Sequence, residues 1–145
     1  MKKDYQTLQQ LDRALKIFRR SGIYDRVNTK LSDADIMVLF CVAFCDINQK
    51  VKLTDIAKTL KVTLPAVTHK VNDLVDKSYL EKVPSAKDLR VIFIRLTENG
   101  KKYVESIRDD YYKPIEQLAI HLGEEDSKNL LRIMNKISEI GKIKI

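Results

Sequence analysis

Residues 53–100 read LTDIAKTLKVTLPAVTHKVNDLVDKSYLEKVPSAKDLRVIFIRLTENG, and the order of elements in this stretch decides the fold. It parses into a short helix, a turn, a second helix, and two extended runs joined by a basic tip. Ile56, Ala57 and Leu60 make the inward face of a helix that begins at Leu53 or Thr54, and Lys61 and Val62 form the turn after it. Thr63 is placed to cap the next helix. Pro65 falls in its first turn, where a missing backbone N–H costs nothing.

The helix over residues 64–77 resolves by angle. At about 100° per residue, Leu64, Val67, Val71, Leu74 and Val75 share one face and His69 points almost directly away. Pro65, Ala66 and Asp73 flank His69, with Lys70 at one border and Thr68 and Asn72 at the other. Residues 79–84 and 90–96 are rich in Val, Ile, Phe and Tyr, and the second run alternates Val91, Phe93 and Arg95 against Ile92, Ile94 and Leu96. They form a hairpin whose tip, residues 85–89, carries Lys87 and is followed by Arg90. This is the order of a winged helix-turn-helix, a module that sets one helix in the DNA major groove with a hairpin beside it.

On either side of this module the periodicity is helical. Residues 4–20 place Leu8, Leu11, Leu15 and Phe18 at spacings of three and four, widened by Ala14 and Ile17, and Ser21 and Gly22 end the helix. Ser32 and Asp35 resemble a capping box that opens a second helix at about Asp33. From residue 36 to 47 that helix is apolar almost all round, which predicts a buried central strut closed by Asp46, Asn48 and Gln49. Thr97 caps a long helix over residues 98–122, with Val104, Ile107, Tyr111, Ile115, Leu118 and Leu122 at heptad-like intervals and Pro114 as a kink. Gly123 ends it. Residues 124–126 are acidic and open a last helix striped by Leu130, Ile133, Met134, Ile137 and Ile140.

Composition bounds the function. The chain has 145 residues, 44% hydrophobic and 32% charged, with only 4 Gly and 3 Pro, which suits one helix-rich globular domain. No apolar run approaches the roughly 20 residues that cross a bilayer, and the start MKKDYQTLQQLDR has no apolar signal core, so a cytoplasmic protein without membrane contact is expected. Of the net charge of +7, residues 50–102 supply +6, from twelve Lys or Arg against six Asp or Glu. A basic excess confined to one module is the footprint of a polyanionic partner. Cys41 and Cys45 lie in the run IMVLFCVAFCDI and read as buried, reduced core residues, with a thiol-responsive switch as the alternative. There is no nucleophile with a His partner, no Gly-rich phosphate loop and no metal-ligand cluster, so neither an enzyme nor a cofactor or metal is expected.

The middle stretch resembles the MarR family of bacterial transcription regulators. The resemblance rests on LTDIAKTLKV, PAVTHKVNDLVDKSYLEK, KDLR at the wing and VIFIRLTENGKKY, and spans residues 32–104 by motif. It implies a mainly α fold with a small β-hairpin over residues 1–145, in which a winged helix-turn-helix module (residues 32–100) is flanked by dimerisation helices (residues 1–22 and 101–145). It further implies a homodimer that represses transcription from palindromic double-stranded DNA and often responds to a small-molecule effector. Two departures stand out: Leu89 occupies a wing position where the family more often has a second Arg, and His69 and His121 do not make a zinc-sensing set.

On this basis Thr63, Pro65, Ala66, Thr68, His69, Lys70, Lys87, Asp88 and Arg90 are the expected DNA-binding residues. His69 and Lys70 suit base or phosphate acceptors, Thr63 and Thr68 suit phosphate at the helix start, and Pro65 and Ala66 suit thymine methyls. The resemblance implies that Arg90 enters the minor groove while Asp88 aims it. Arg13, Phe18, Tyr24, Phe40 and Tyr111 are within reach of a helix seam, yet no effector-binding residue can be assigned among them. A winged-helix protein-interaction module that ignores nucleic acid is the competing class of function.

Overall fold

The computed structural model describes residues 4–23, 29–44 and 50–140. Their elements are α1 (Tyr5–Arg20), α2 (Asp33–Phe44), α3 (Leu53–Leu60), α4 (Leu64–Asp76), β1 (Leu80–Pro84), β2 (Ile92–Leu96) and α5 (Glu98–Ile140). Tyr24, Cys45 and the expected closing residues of the second helix, Asp46, Asn48 and Gln49, lie outside the described residues. The chain divides into two compact units, residues 28–109 and residues 1–27 with 110–145.

In the first unit α2 is the central strut, burying Ile36, Val38, Leu39, Phe40, Cys41 and Val42. It packs on α3, α4 and β2, and Ile56, Val67, Val71, Leu74, Leu80 and Ile94 complete a core from which solvent is almost excluded. Each of these side chains contributes roughly 1.5–3 kcal/mol of transfer free energy. Two residues outside the regular elements also belong to it. Leu31 is buried ahead of α2, and Val51 forms a one-residue bridge to β2, its carbonyl accepting the Ile94 N–H at 2.7 Å.

The hairpin is antiparallel, in register from Leu80 opposite Leu96 to Pro84 opposite Ile92. Both strands begin later than their composition predicts, at Leu80 rather than Tyr79 and at Ile92 rather than Arg90. The N–H groups explain the difference: Tyr79 donates to Leu74 O (2.9 Å) and closes α4, while Val91 donates to Asp88 O (3.0 Å) and closes the tip turn. Arg90 is therefore a tip residue. Leu64 departs as well, being 44% exposed where the apolar stripe predicts burial. It occupies the first position of α4 and projects beyond the covered run of Val67, Val71 and Leu74.

Two polar junctions hold the unit. At the first, Ser32 Oγ accepts the Asp35 N–H (3.2 Å) and donates to Asp35 Oδ2 (2.7 Å), so the cap residue and the N3 carboxylate bond to each other. Asp35 is only 5% exposed, and its Oδ1 lies 3.2 Å from Lys70 Nζ of α4. Burial opposes ionisation of this carboxyl, but the Ser32 hydroxyl and the Lys70 and Lys77 ammoniums outweigh it and hold its pKa below the ordinary 3.8.

The second junction sits where α5 leaves β2. Thr97 Oγ1 accepts the Gly100 N–H (3.0 Å) and donates to Ser78 O (2.6 Å), while the Thr97 N–H donates to Tyr79 O (3.1 Å). The first turn of α5 is thereby drawn against the chain leaving α4. A methyl group on Gly100 would stand 2.1 Å from Tyr79 O, so this position admits only hydrogen.

The second unit contains α1 and α5 from residue 110 onward. Asp4 caps α1 by accepting the Gln6 N–H at 3.1 Å, and Arg19 and Arg20 lie in its last turn, where the helix dipole favours cations. None of its residues is buried. Pro114 lies inside α5, and Gly123 leaves helical geometry at φ 79 and ψ 174, so α5 is in effect two helices parted at the expected glycine. Nothing in α5 beyond Val104 is buried.

Two outcomes follow. Gly100→Ala is expected to lower the unfolding free energy by about 1–3 kcal/mol through overpacking, read as a lower urea midpoint; an unchanged midpoint would show that Tyr79 gives way freely. Because the pKa of Asp35 is lowered on folding, its ionised form stabilises the fold above the unfolded value of 3.8, and this contribution is lost as pH falls through the lower folded value. Asp35→Asn is therefore expected to cost about 1–3 kcal/mol at neutral pH, with the gap from wild type closing below that window. Urea titrations of both proteins at stepped pH measure this, and a gap independent of pH would refute it.

Candidate nucleic-acid interface

α3 and α4 meet at a tight turn in which Lys61 takes a left-handed conformation, φ 55 and ψ 42, with its N–H on Ala57 O. Val62 leads into Thr63, whose Oγ1 accepts the Ala66 N–H at 3.3 Å and caps α4. Because the hydroxyl oxygen does the capping, its proton is left for an outside acceptor. Thr63, Pro65, Ala66 and His69 are exposed on the side away from the buried stripe. His69 is the most prominent, with its side chain 77% exposed and Nε2 3.5 Å from Asp73 Oδ2 one turn on.

The two border residues turn their donors inward. The Thr68 hydroxyl donates to Leu64 O at 2.8 Å, and the Lys70 ammonium lies against Asp35. On the Thr68 side, Asn72 Oδ1 accepts from Lys82 Nζ of β1 at 2.6 Å. Sequence reasoning missed Asp35 and Lys82 as partners of this helix. Asp35 was legible only as a cap residue of α2, and no periodicity within one element reports a contact made across two.

The wing tip is built by a single carboxylate. Asp88 Oδ1 accepts the Arg90 N–H (3.0 Å) and Nε (3.2 Å), and Oδ2 accepts Nη2 (3.3 Å). The Arg90 side chain and then its N–H hold the Asp88 carboxyl below the usual carboxylate range. Such an exposed pair adds little stability. It does fix the direction of a guanidinium that remains 92% exposed. Lys87 is exposed beside it, and Leu89 between the two charged residues is 79% exposed. Lower on the hairpin, Arg95 Nε pairs with Glu81 Oε1 across the strands, so that cation is neutralised within the sheet.

The nine expected residues thus fall into two clusters, the start and outer face of α4 and the tip of the hairpin. Among the described residues no group of three His, Cys, Asp or Glu side chains is placed to hold a metal ion, and no helix is long and apolar enough to cross a membrane. Cys41 is a buried thiol within α2. The chemistry on display is therefore that of donors and cations facing outward around a capped helix start.

Comparison with known proteins agrees with this geometry. Residues 24–107 match the family described as transcriptional regulator SarA/Rot. The HTH-type transcriptional regulator YwaE of Bacillus subtilis (strain 168) is 21% identical over 84 residues, 58% of this chain and 49% of that protein. The chain thus spans about half the length of this curated relative. Among solved structures, a MarR/EmrR family transcriptional regulator from Acinetobacter sp. ADP1 superposes with a TM-score of 0.68 at 20% identity, covering 97% of this chain and 96% of that one. A mutant MarR from E. coli complexed with operator DNA gives a TM-score of 0.64 at 18% identity, covering 92% of this chain and 96% of that one. These two likenesses establish a MarR-like winged helix fold. With more than half its residues matched to the family and the winged module described above, the chain belongs to the SarA/Rot family of transcriptional regulators.

Proposed function

We propose that this protein is a cytoplasmic, sequence-specific double-stranded-DNA-binding regulator that acts as a homodimer on a palindromic operator, represses transcription there and is released by a small-molecule effector. The observation that carries the DNA contact is the pairing of a capped, outward-facing α4 with a wing tip whose Arg90 is held outward by Asp88. In this reading the start of α4 enters the major groove. Thr63 meets phosphate at the positive end of the helix dipole, Pro65 and Ala66 meet thymine methyls, and His69 meets a base or phosphate acceptor. Thr68 and Lys70 flank this contact from the border of the face. Lys87 and Arg90 lie along the adjacent minor groove, which attracts cations most where it is narrow and A·T-rich. The solved MarR complex with operator DNA supports this use of the same fold.

The homodimer rests on exposed apolar surface. Leu8, Leu11, Leu15 and Phe18 of α1 and Leu130, Ile133, Met134, Ile137 and Ile140 of α5 follow helical stripes, yet all are exposed in the single chain. Contiguous apolar surface of this kind marks an interaction site, and self-association covers both stripes at once. Two-fold symmetry then carries over to the operator as a palindrome. The sense of regulation and the effector are supported by the family resemblance alone.

Arg90→Ala is expected to weaken operator binding and flatten the dependence of log affinity on log salt by about one unit, as measured by fluorescence anisotropy. Equal affinity and slope would remove Arg90 from the interface. Leu11→Glu combined with Ile137→Glu is expected to turn a dimer into monomers in sedimentation equilibrium and to abolish operator binding. A wild-type chain that sediments as a monomer at micromolar concentration would defeat the dimeric reading.

A further inference from the structure

α4 is pinned at both borders of its outward face. Viewed down the axis, with His69 at the centre, Lys70 lies about 100° to one side and Asn72 about 60° to the other. Lys70 Nζ reaches Asp35 Oδ1 of α2 (3.2 Å), and Asn72 Oδ1 receives Lys82 Nζ of β1 (2.6 Å). The buried stripe between these borders, Val67, Val71 and Leu74, is aliphatic and non-directional. Such contacts hold a helix down but resist rolling about its axis only weakly, whereas the ion pair at one border and the hydrogen bond at the other both lengthen when the helix rolls and so oppose it. A buried carboxylate stripped of its cation is costly, so the Lys70 ammonium is retained by Asp35.

We propose that Asp35, acting through Lys70 and opposed by the Lys82–Asn72 contact, sets the roll of the recognition helix, making Asp35 and Lys70 positioning residues for sequence discrimination and Lys70 no phosphate contact. The proposal rests on the DNA-binding function above. It differs from that function in assigning a role in readout to a side chain that DNA cannot touch. At 5% exposure Asp35 lies beneath the helix, so any effect it has on discrimination passes through the way α4 is presented.

Asp35→Asn keeps the side-chain shape and an oxygen for the Ser32 hydroxyl, while it weakens the tether and releases the Lys70 ammonium. The experiment compares wild type, Asp35→Asn and Asp35→Asn/Lys70→Met, all well below their unfolding midpoints. Each is titrated against an operator selected by wild type from a random library and against a scrambled duplex, at several salt concentrations. The ratio of the two affinities is expected to fall about tenfold in both variants, the size of one misread base pair, with the salt slope unchanged. A merely structural loss would lower both affinities together and leave their ratio intact. The double variant, which leaves no buried charge unpaired, keeps the test open if Asp35→Asn folds poorly.

Three results overturn the proposal. They are a ratio that stays at the wild-type value in both variants; an Asp35→Asn protein that binds both duplexes more tightly with a steeper slope, which makes Lys70 a phosphate contact; and a double variant that loses about one unit of slope. In each of these the wild type still binds its operator, so the DNA-binding function stands. A wild type that binds no duplex in dilute buffer overturns the function and this inference together.

Discussion

The packing of α4 on α2 is the constraint on which the rest of the winged module depends. Val67, Val71 and Leu74 leave solvent because α2, itself buried along most of its length, packs on α3, α4 and β2 at once. At 3.6 residues per turn, burial of those three side chains turns the opposite face toward solvent. Pro65, Ala66 and His69 are outward as a geometric consequence. The same packing fixes where the hairpin starts, since the Tyr79 N–H that closes α4 on Leu74 O places β1 immediately after it.

Legibility in the sequence follows the range of each interaction. The Thr63 cap, Pro65 in the first turn, the Thr97 cap and the break at Gly123 are set within three or four residues, and local spacing placed all of them. The buried face of α4 was legible from period, except for Leu64, whose place at the helix end no angular argument contains. Strand limits were misread because Tyr79 and Val91 carry strand-like side chains but spend their N–H groups on turns. The core residues Leu31 and Val51 stand outside any periodic run. At the candidate interface the outward set was readable, whereas the Asp35–Lys70 and Lys82–Asn72 contacts join elements distant in sequence and leave no trace in spacing. Gly100 was visible as part of a motif, but the carbonyl that forbids a side chain there was not.

The basic excess of the module proves to be divided by location. Lys70 and Arg95 are each engaged with a carboxylate and Lys82 with an amide, in contacts that hold the recognition helix and the hairpin. Arg90, by contrast, is paired in a way that leaves its guanidinium in solvent, and Lys87 is exposed beside it. A formal charge count treats all of these as equal. The geometry separates cations engaged in contacts within the module from cations that remain exposed at the tip.

Leu89 at the wing tip bears on how such a regulator would spend its time in the cell. A side chain 79% exposed but uncharged adds nothing to the electrostatic hold on random duplex, and a two-fold assembly doubles that omission. Non-specific attraction is nearly all electrostatic, so a tip with one guanidinium grips bulk chromosome less firmly than a tip with two. For the proposed DNA-binding dimer the population stored on the genome would shrink, and a larger share of a small pool would stay free to search for its target.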